Sequence, residues 1–170
     1  MLFLRFEIGA DRYALPVTHV TEVLPQVKLK RLPAAPDWVA GAFSYRGVPV
    51  PVIDLAHLAT GTPARPRLST RLVLVPYPAP GPNARCLGVI VERATDTLRA
   101  DPSAFRDCGI DTPNAAWLGP VFDDPRGLVQ WIRVDQLLND EARAVLFDAA
   151  AQSLGDNAEL SEHDGTGAAP

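Results

Sequence analysis

Residues 39–55 read VAGAFSYRGVPVPVIDL, two apolar, strand-like runs around a short turn that carries one arginine. A weaker version returns at residues 118–138. Arg46-Gly47 and Arg126-Gly127 lie 80 residues apart (126 − 46), as do Leu58 and Leu138 (138 − 58). A strand–turn–strand–helix unit used twice restricts the chain to an architecture with two similar halves, roughly 1–68 and 69–150. Neither copy shows a catalytic signature, which points to a protein that joins other proteins.

Composition narrows the class further. The chain has 170 residues, 47% of them hydrophobic, enough for one compact domain or two small fused subdomains. Its 17 prolines are twice what average usage of ~5% would supply. Proline breaks helix interiors but suits edges and turns, which argues against a helical bundle. The net charge of −4 lowers the expectation of nucleic-acid binding. No stretch approaches the ~20 apolar residues of a membrane span, and the N-terminus lacks the pattern of a signal peptide, so a cytoplasmic protein is expected. Cys86 and Cys108 could form one disulfide; with no export signal, reduced thiols are the expectation.

Along the chain, residues 2–8 alternate at period two and residues 13–17 complete a hairpin with them. Thr18 can cap a short helix over 18–24, in which Val17, Val20 and Leu24 share a face and Glu22 lies off it. Residues 27–32 read as an edge strand. Strands follow at 39–45 and 48–53, and Asp54 is placed to cap a helix through Leu58. Residues 60–68 connect the halves. Strands then fall at 71–75 and 86–91, the second apolar enough for burial on both faces. Residues 92–98 suit helix or strand equally. A last strand pair falls at 117–122 and 128–134, with a helix-like stretch at 135–138. A C-terminal helix spans 141–150. Residues 151–170 read as a disordered tail. Two small β-barrels are the economical architecture; one β-sandwich is the competitor.

Candidate chemistry is sparse. His19, His57 and His163 have no metal-ligand spacing, and no phosphate loop, nucleophile elbow or metalloprotease motif occurs. Asp123-Asp124 reads as turn chemistry before Pro125. Trp38, Trp117 and Trp131 suit core packing. Arg46 stands apart as a planar, permanently charged group at the tip between two apolar runs, with Gly47 allowing the turn and close approach of a partner. A hydrolase using Asp54, Asp123 or Asp124 between barrels, and an oligonucleotide-binding barrel, are the rival readings.

Residues 20–24 (VTEVL), Leu32-Pro33, Gly41, Tyr45-Arg46-Gly47, residues 51–55 (PVIDL) and residues 87–91 (LGVIV) resemble the CheW-like coupling domain of bacterial chemosensory systems, in order and spacing, from about Phe3 to Leu146. Within that family the pattern is most similar to the short couplers of Wsp-type surface-sensing pathways. The resemblance implies a mainly β fold of two five-stranded, SH3-like barrels with short connecting helices and a C-terminal helix. It implies a non-enzymatic adaptor with no cofactor, metal or nucleic-acid ligand and no membrane insertion, recruited to receptor arrays. The implied partners are the hairpin tip of a methyl-accepting chemoreceptor, the regulatory domain of a CheA-type histidine kinase, and another CheW-like protein. By position it assigns protein contacts to Val20, Glu22, Gly41, Arg46 and Gly47, with Val20 packing behind Glu22. Ser44-Tyr45 departs from the Asn-Leu frequent in the family.

Overall fold

The computed structural model describes residues 1–109 and 112–162. Among these residues nine strands are present: β1 Leu2–Ile8, β2 Asp11–Pro16, β3 Glu22–Pro25, β4 Val39–Tyr45, β5 Val48–Asp54, β6 Arg71–Tyr77, β7 Arg85–Arg99, β8 Leu118–Asp124 and β9 Gly127–Ile132. Helix α1 spans Leu55–Thr60 and α2 spans Asp140–Glu162. Single 3-10 turns lie at Val17–His19, Pro102–Ala104 and Val134–Gln136.

The strands make two curled five-stranded sheets that share β7. The first runs β4-β5-β7-β6-β3 and uses the start of β7. The second runs β7-β1-β2-β9-β8 and uses its end. In each, the two edges are drawn together by a single bridge. Lys30 and Ala42 exchange two backbone hydrogen bonds of 2.8 Å across the first, and Arg106 and Val121 exchange bonds of 2.7 and 2.8 Å across the second. The result is a pair of partly open barrels.

The repeat is present, but its halves are exchanged. β1 and β2 of the first half complete the second barrel, and β6 with the start of β7 completes the first. The parallel pairs that join the halves are equivalent: β2 with β9 and β7 with β5. The boundary expected near residue 68 therefore divides the repeat and not the barrels. The 80-residue spacing also shifts by one. Tyr45 pairs with Val48 and Asp124 with Gly127, so Arg46 matches Pro125, and Gly47 matches Arg126.

Three apolar clusters follow from strand alternation. Val50, Val52, Leu72 and Leu74 fill the first barrel; Phe3, Ala14, Phe105 and Val129 fill the second. Leu4, Phe6, Val73, Val75, Tyr77 and Leu87, with Leu146 and Phe147 of α2, form the larger cluster between the barrels. β6 thus buries both faces, one inside a barrel and one between barrels.

Several elements differ from expectation. Residues 18–24 are not a helix: a 3-10 turn ends at His19 and β3 begins at Glu22. Residues 27–32 contribute one bridge and no strand. Residues 92–98 are strand, because β7 continues from one sheet into the other. The helix-like stretch after β9 is only the turn at Val134–Gln136. α2 runs past Ala150 to Glu162, so residues 151–162 of the expected tail are helical; 163–170 lie outside the described residues. Asp54 caps α1 as expected, its Oδ1 accepting from the His57 backbone N–H at 3.1 Å. Among the described residues, no helix is long and apolar enough to cross a membrane.

Candidate functional site

The β4–β5 hairpin closes with two residues, and both have positive φ: Arg46 at 50° and Gly47 at 78°. That is the type I′ turn, whose twist matches the strands it joins. Gly47 takes the second position at no steric cost, and Arg46 adopts the left-handed region as a non-glycine residue. The turn projects the Arg46 side chain into solvent at 79% exposure.

Three side chains meet there. The Tyr45 hydroxyl donates a hydrogen bond to Glu22 Oε2 on β3. Arg46 Nη2 lies 3.9 Å from the same oxygen, a loose ion pair, and its guanidinium sits 5.1 Å from the centre of the Tyr45 ring. The hydrogen bond to Glu22, aided by desolvation and partly offset by Arg46, holds the Tyr45 phenol above its ordinary pKa. Cys86 on β7 lies under this group; burial, then the Glu22 charge, pushes its thiol up to about 11. The hairpin tip also forms one wall of a groove of about 560 Å³, with Arg85 opposite and Phe147 and Asp148 of α2 along its side. Arg85 lies over the Phe147 ring at 5.4 Å.

The structure thus brings together Glu22, Arg46 and Gly47, and leaves Val20 and Gly41 outside. Val20 is half-buried against the cluster between the barrels. Gly41 sits at the bridge, with φ 142°, where an added Cβ would lie 2.4 Å from the Lys30 carbonyl oxygen. Its role is to let the barrel edges meet. Tyr45 was missing from the expected contacts; strand alternation, which puts Phe43 and Tyr45 on one face, is the signal that marks it.

Other candidates are occupied by structure. Asp54 uses its second oxygen to accept from the Ala64 N–H at 2.9 Å, fastening the loop after α1. Asp124 is paired with Arg12 at 2.9 Å in the second barrel, and Asp123 is exposed beside it, so these carboxylates form no common cleft with Asp54. Phe3, Phe105, Phe122 and Trp131 pack against one another in tilted and edge-on contacts in the second barrel, where they serve as core and not as an open stacking platform for bases. Among the described residues, no three His, Cys, Asp or Glu side chains converge as metal ligands.

Twinned small barrels with exchanged halves and a polar hairpin tip define a compact binding module. Residues 2–142 match the family model described as CheW-like domain, and the chain belongs to that family. Its relatives include the Chemotaxis protein CheW of Helicobacter pylori, 31% identical over 98 residues, which cover 57% of this chain and 56% of that protein. The Chemotaxis protein CheW of Klebsiella aerogenes is 26% identical over 153 residues, 87% of each chain. The crystal structure of the scaffolding protein TtCheW from Thermoanaerobacter tengcongensis superposes with a TM-score of 0.72 at 19% identity, covering 83% of this chain and 89% of that one.

Proposed function

We propose that this chain is a non-catalytic scaffold that couples a methyl-accepting chemoreceptor to a CheA-type histidine kinase in a chemosensory array. The observation that carries the reading is the Glu22–Tyr45–Arg46 group, formed between β3 and the tip of the β4–β5 hairpin, in a CheW-like domain. Arg46 is exposed, permanently charged and only loosely paired, so it is available for charge-assisted hydrogen bonds to a partner. The scaffold works by linkage: by contacting both receptor and kinase, it lets a shift in one bias the populated state of the other. Individual contacts can be modest, because an array multiplies them. On this reading the protein is cytoplasmic and gathers at membrane-bound receptors, with a second CheW-like protein as a further neighbour.

Within that role, the sequence pattern favours a WspB-like coupler in a Wsp-type pathway whose distant output is cyclic di-GMP. Deleting the gene would then lower cyclic di-GMP on surface contact and leave swimming chemotaxis intact; the reverse pattern places the chain in a motility pathway.

Calorimetric titration against the regulatory domain of the kinase, with and without a receptor hairpin fragment, tests the coupling itself. Micromolar binding is expected. Arg46→Glu should retain the native circular dichroism spectrum and weaken the ternary complex at least about tenfold, as removal of a charged hydrogen-bonding group does. An unfolded Arg46→Glu variant would make the arginine structural, and a fully binding one would remove it from the contact.

A further inference from the structure

The duplication supplies an internal comparison at the Glu22 site. In the second barrel, Arg5 pairs with Asp96 across β1 and β7, and Arg5 faces Ala14 across β1 and β2. In the first barrel, Leu74 faces Glu22 across β6 and β3, and Gly88 across β6 and β7. Leu74 therefore stands where Arg5 does, and Glu22 where Asp96 does. The same registers carry further. Ala14 pairs with Trp131 and Gly88 with Val52, while Phe122 pairs with Val129 and Phe43 with Val50. Hence Cys86 stands where Arg12 does, and Tyr45 where Asp124 does.

These equivalences turn one polar cluster into a different one. The end of the second barrel is neutralised from within by two arginines and two aspartates. Arg12 also reaches the Gly127 carbonyl at 2.7 Å, and the Arg12–Asp124 pair is nearly withdrawn from solvent, at 12% and 15% exposure. The end of the first barrel keeps a carboxylate, Glu22, but has leucine and cysteine in place of both arginines. Tyr45 holds the carboxylate in place while leaving its charge intact. Arg46 approaches from the turn at 3.9 Å and is not seated on the sheet. Beside it Val48 is 56% exposed, an apolar neighbour for an incoming side chain.

We propose that Glu22, backed by Tyr45, receives an arginine from the docking partner, in the place that arginines of the chain itself fill in the second barrel. The partner is a protein surface that presents a guanidinium next to an apolar side chain. Arrival of that guanidinium at Glu22 releases Arg46 to pair with a carboxylate of the same partner, so the hairpin exchanges an internal ion pair for two intermolecular ones. The partner's identity as an array component rests on the function proposed above; the guanidinium preference of the site does not.

Two measurements on the full chain separate those claims. Guanidinium chloride at non-denaturing concentration, against sodium chloride of equal ionic strength, is titrated while the amide resonances of Glu22 and Tyr45 are followed. Saturable shifts are expected in the wild type. They should vanish in Glu22→Gln and in Cys86→Arg, which installs the counterpart of Arg12 and so an internal guanidinium beside Glu22; Glu22→Gln keeps the test decisive should Cys86→Arg not fold. Shifts no different from those in sodium chloride, or unchanged in the variants, overturn the proposal. In the second measurement, binding is titrated against the CheA-type kinase and against a receptor hairpin fragment, and the contact with the one that presents the guanidinium should weaken about tenfold or more in both variants. Undiminished binding to both overturns the partner's arginine. Failure of the wild type to bind kinase, with the guanidinium response intact, would instead count against the coupling role alone.

Discussion

Gly41 and Cys86 show how single positions divide between making the fold and making the site. At Gly41 the positive φ and the 2.4 Å approach of a Cβ to the Lys30 carbonyl are both structural demands. Gly41→Ala must either push residues 29–31 off β4, losing the two bridge hydrogen bonds, or hold a strained backbone. A loss of about 2–4 kcal/mol is expected in urea unfolding. An unchanged midpoint would mean the bridge adapts freely. Cys86 reports on Glu22. With a thiol pKa near 11, only about a thousandth of it is thiolate at pH 8, so alkylation should be much slower there than at the exposed Cys108. Removing the carboxylate in Glu22→Gln should lower that pKa and speed alkylation of Cys86, read by mass spectrometry. A rate equal to that of the wild type would show that burial alone sets it.

At the scale of elements, legibility followed the range of the interactions. The β4–β5 hairpin and the Asp54 cap were readable because turn, strands and cap lie within residues 39–60 and every signal is local. β3 was not. Val17, Val20 and Leu24 have helical spacing, yet Glu22–Pro25 forms a strand because its hydrogen-bond partner, β6, arrives dozens of residues later. Placing Glu22 on a strand is also what brings it under Tyr45, so the site was half legible: its arginine from the turn, its tyrosine contact only from the sheet. α2 was legible as an element but neither in its length nor in its buried face, since Val145 is 64% exposed. Leu146, Phe147 and Ala150 are buried against the inter-barrel cluster, Leu154 packs against the same cluster, and Lys30 Nζ donates to the Ser153 carbonyl oxygen. Deleting residues 153–170 should therefore cost about 1–2 kcal/mol, for one partly buried leucine and one part-buried hydrogen bond. Phe147→Ala should cost about 3–5 kcal/mol. Thermal melts of the two variants check the order; equal losses would place the helix's hold at its C-terminal end.

For the whole molecule, the exchanged halves decide how it can fold. A repeat spacing tells which segments are alike and says nothing about which of them share a sheet, so simple duplication suggests two autonomous halves. The hydrogen-bond registers require the opposite. In residues 1–68 alone, Val50 and Val52 of β5 lose Leu72 and Leu74, which complete the filling of the first barrel, and Phe3 and Ala14 lose Phe105 and Val129. Residues 69–170 alone are left with the pairs β6–β7 and β8–β9, drawn from two different barrels and separated in the sheet by the missing β1 and β2. Each fragment would expose most of two barrel interiors and the cluster between them, which is more apolar surface than a chain of that size leaves open to water. The 1–68 and 69–170 fragments are therefore expected to be unfolded separately, with poorly dispersed amide spectra. Mixed in equal amounts they should regain the dispersion and the cooperative melt of the intact chain, at a lower and concentration-dependent midpoint. The cut falls in the connection after α1, beside Leu68, which is 95% exposed, and the only hydrogen bonds it divides among the described residues of that turn are those of Thr70 with Arg65 and Arg67. A fragment that folds alone with native stability would show that barrels assemble within halves, and the pairing of β2 with β9 and of β5 with β7 could not then be what holds the two together.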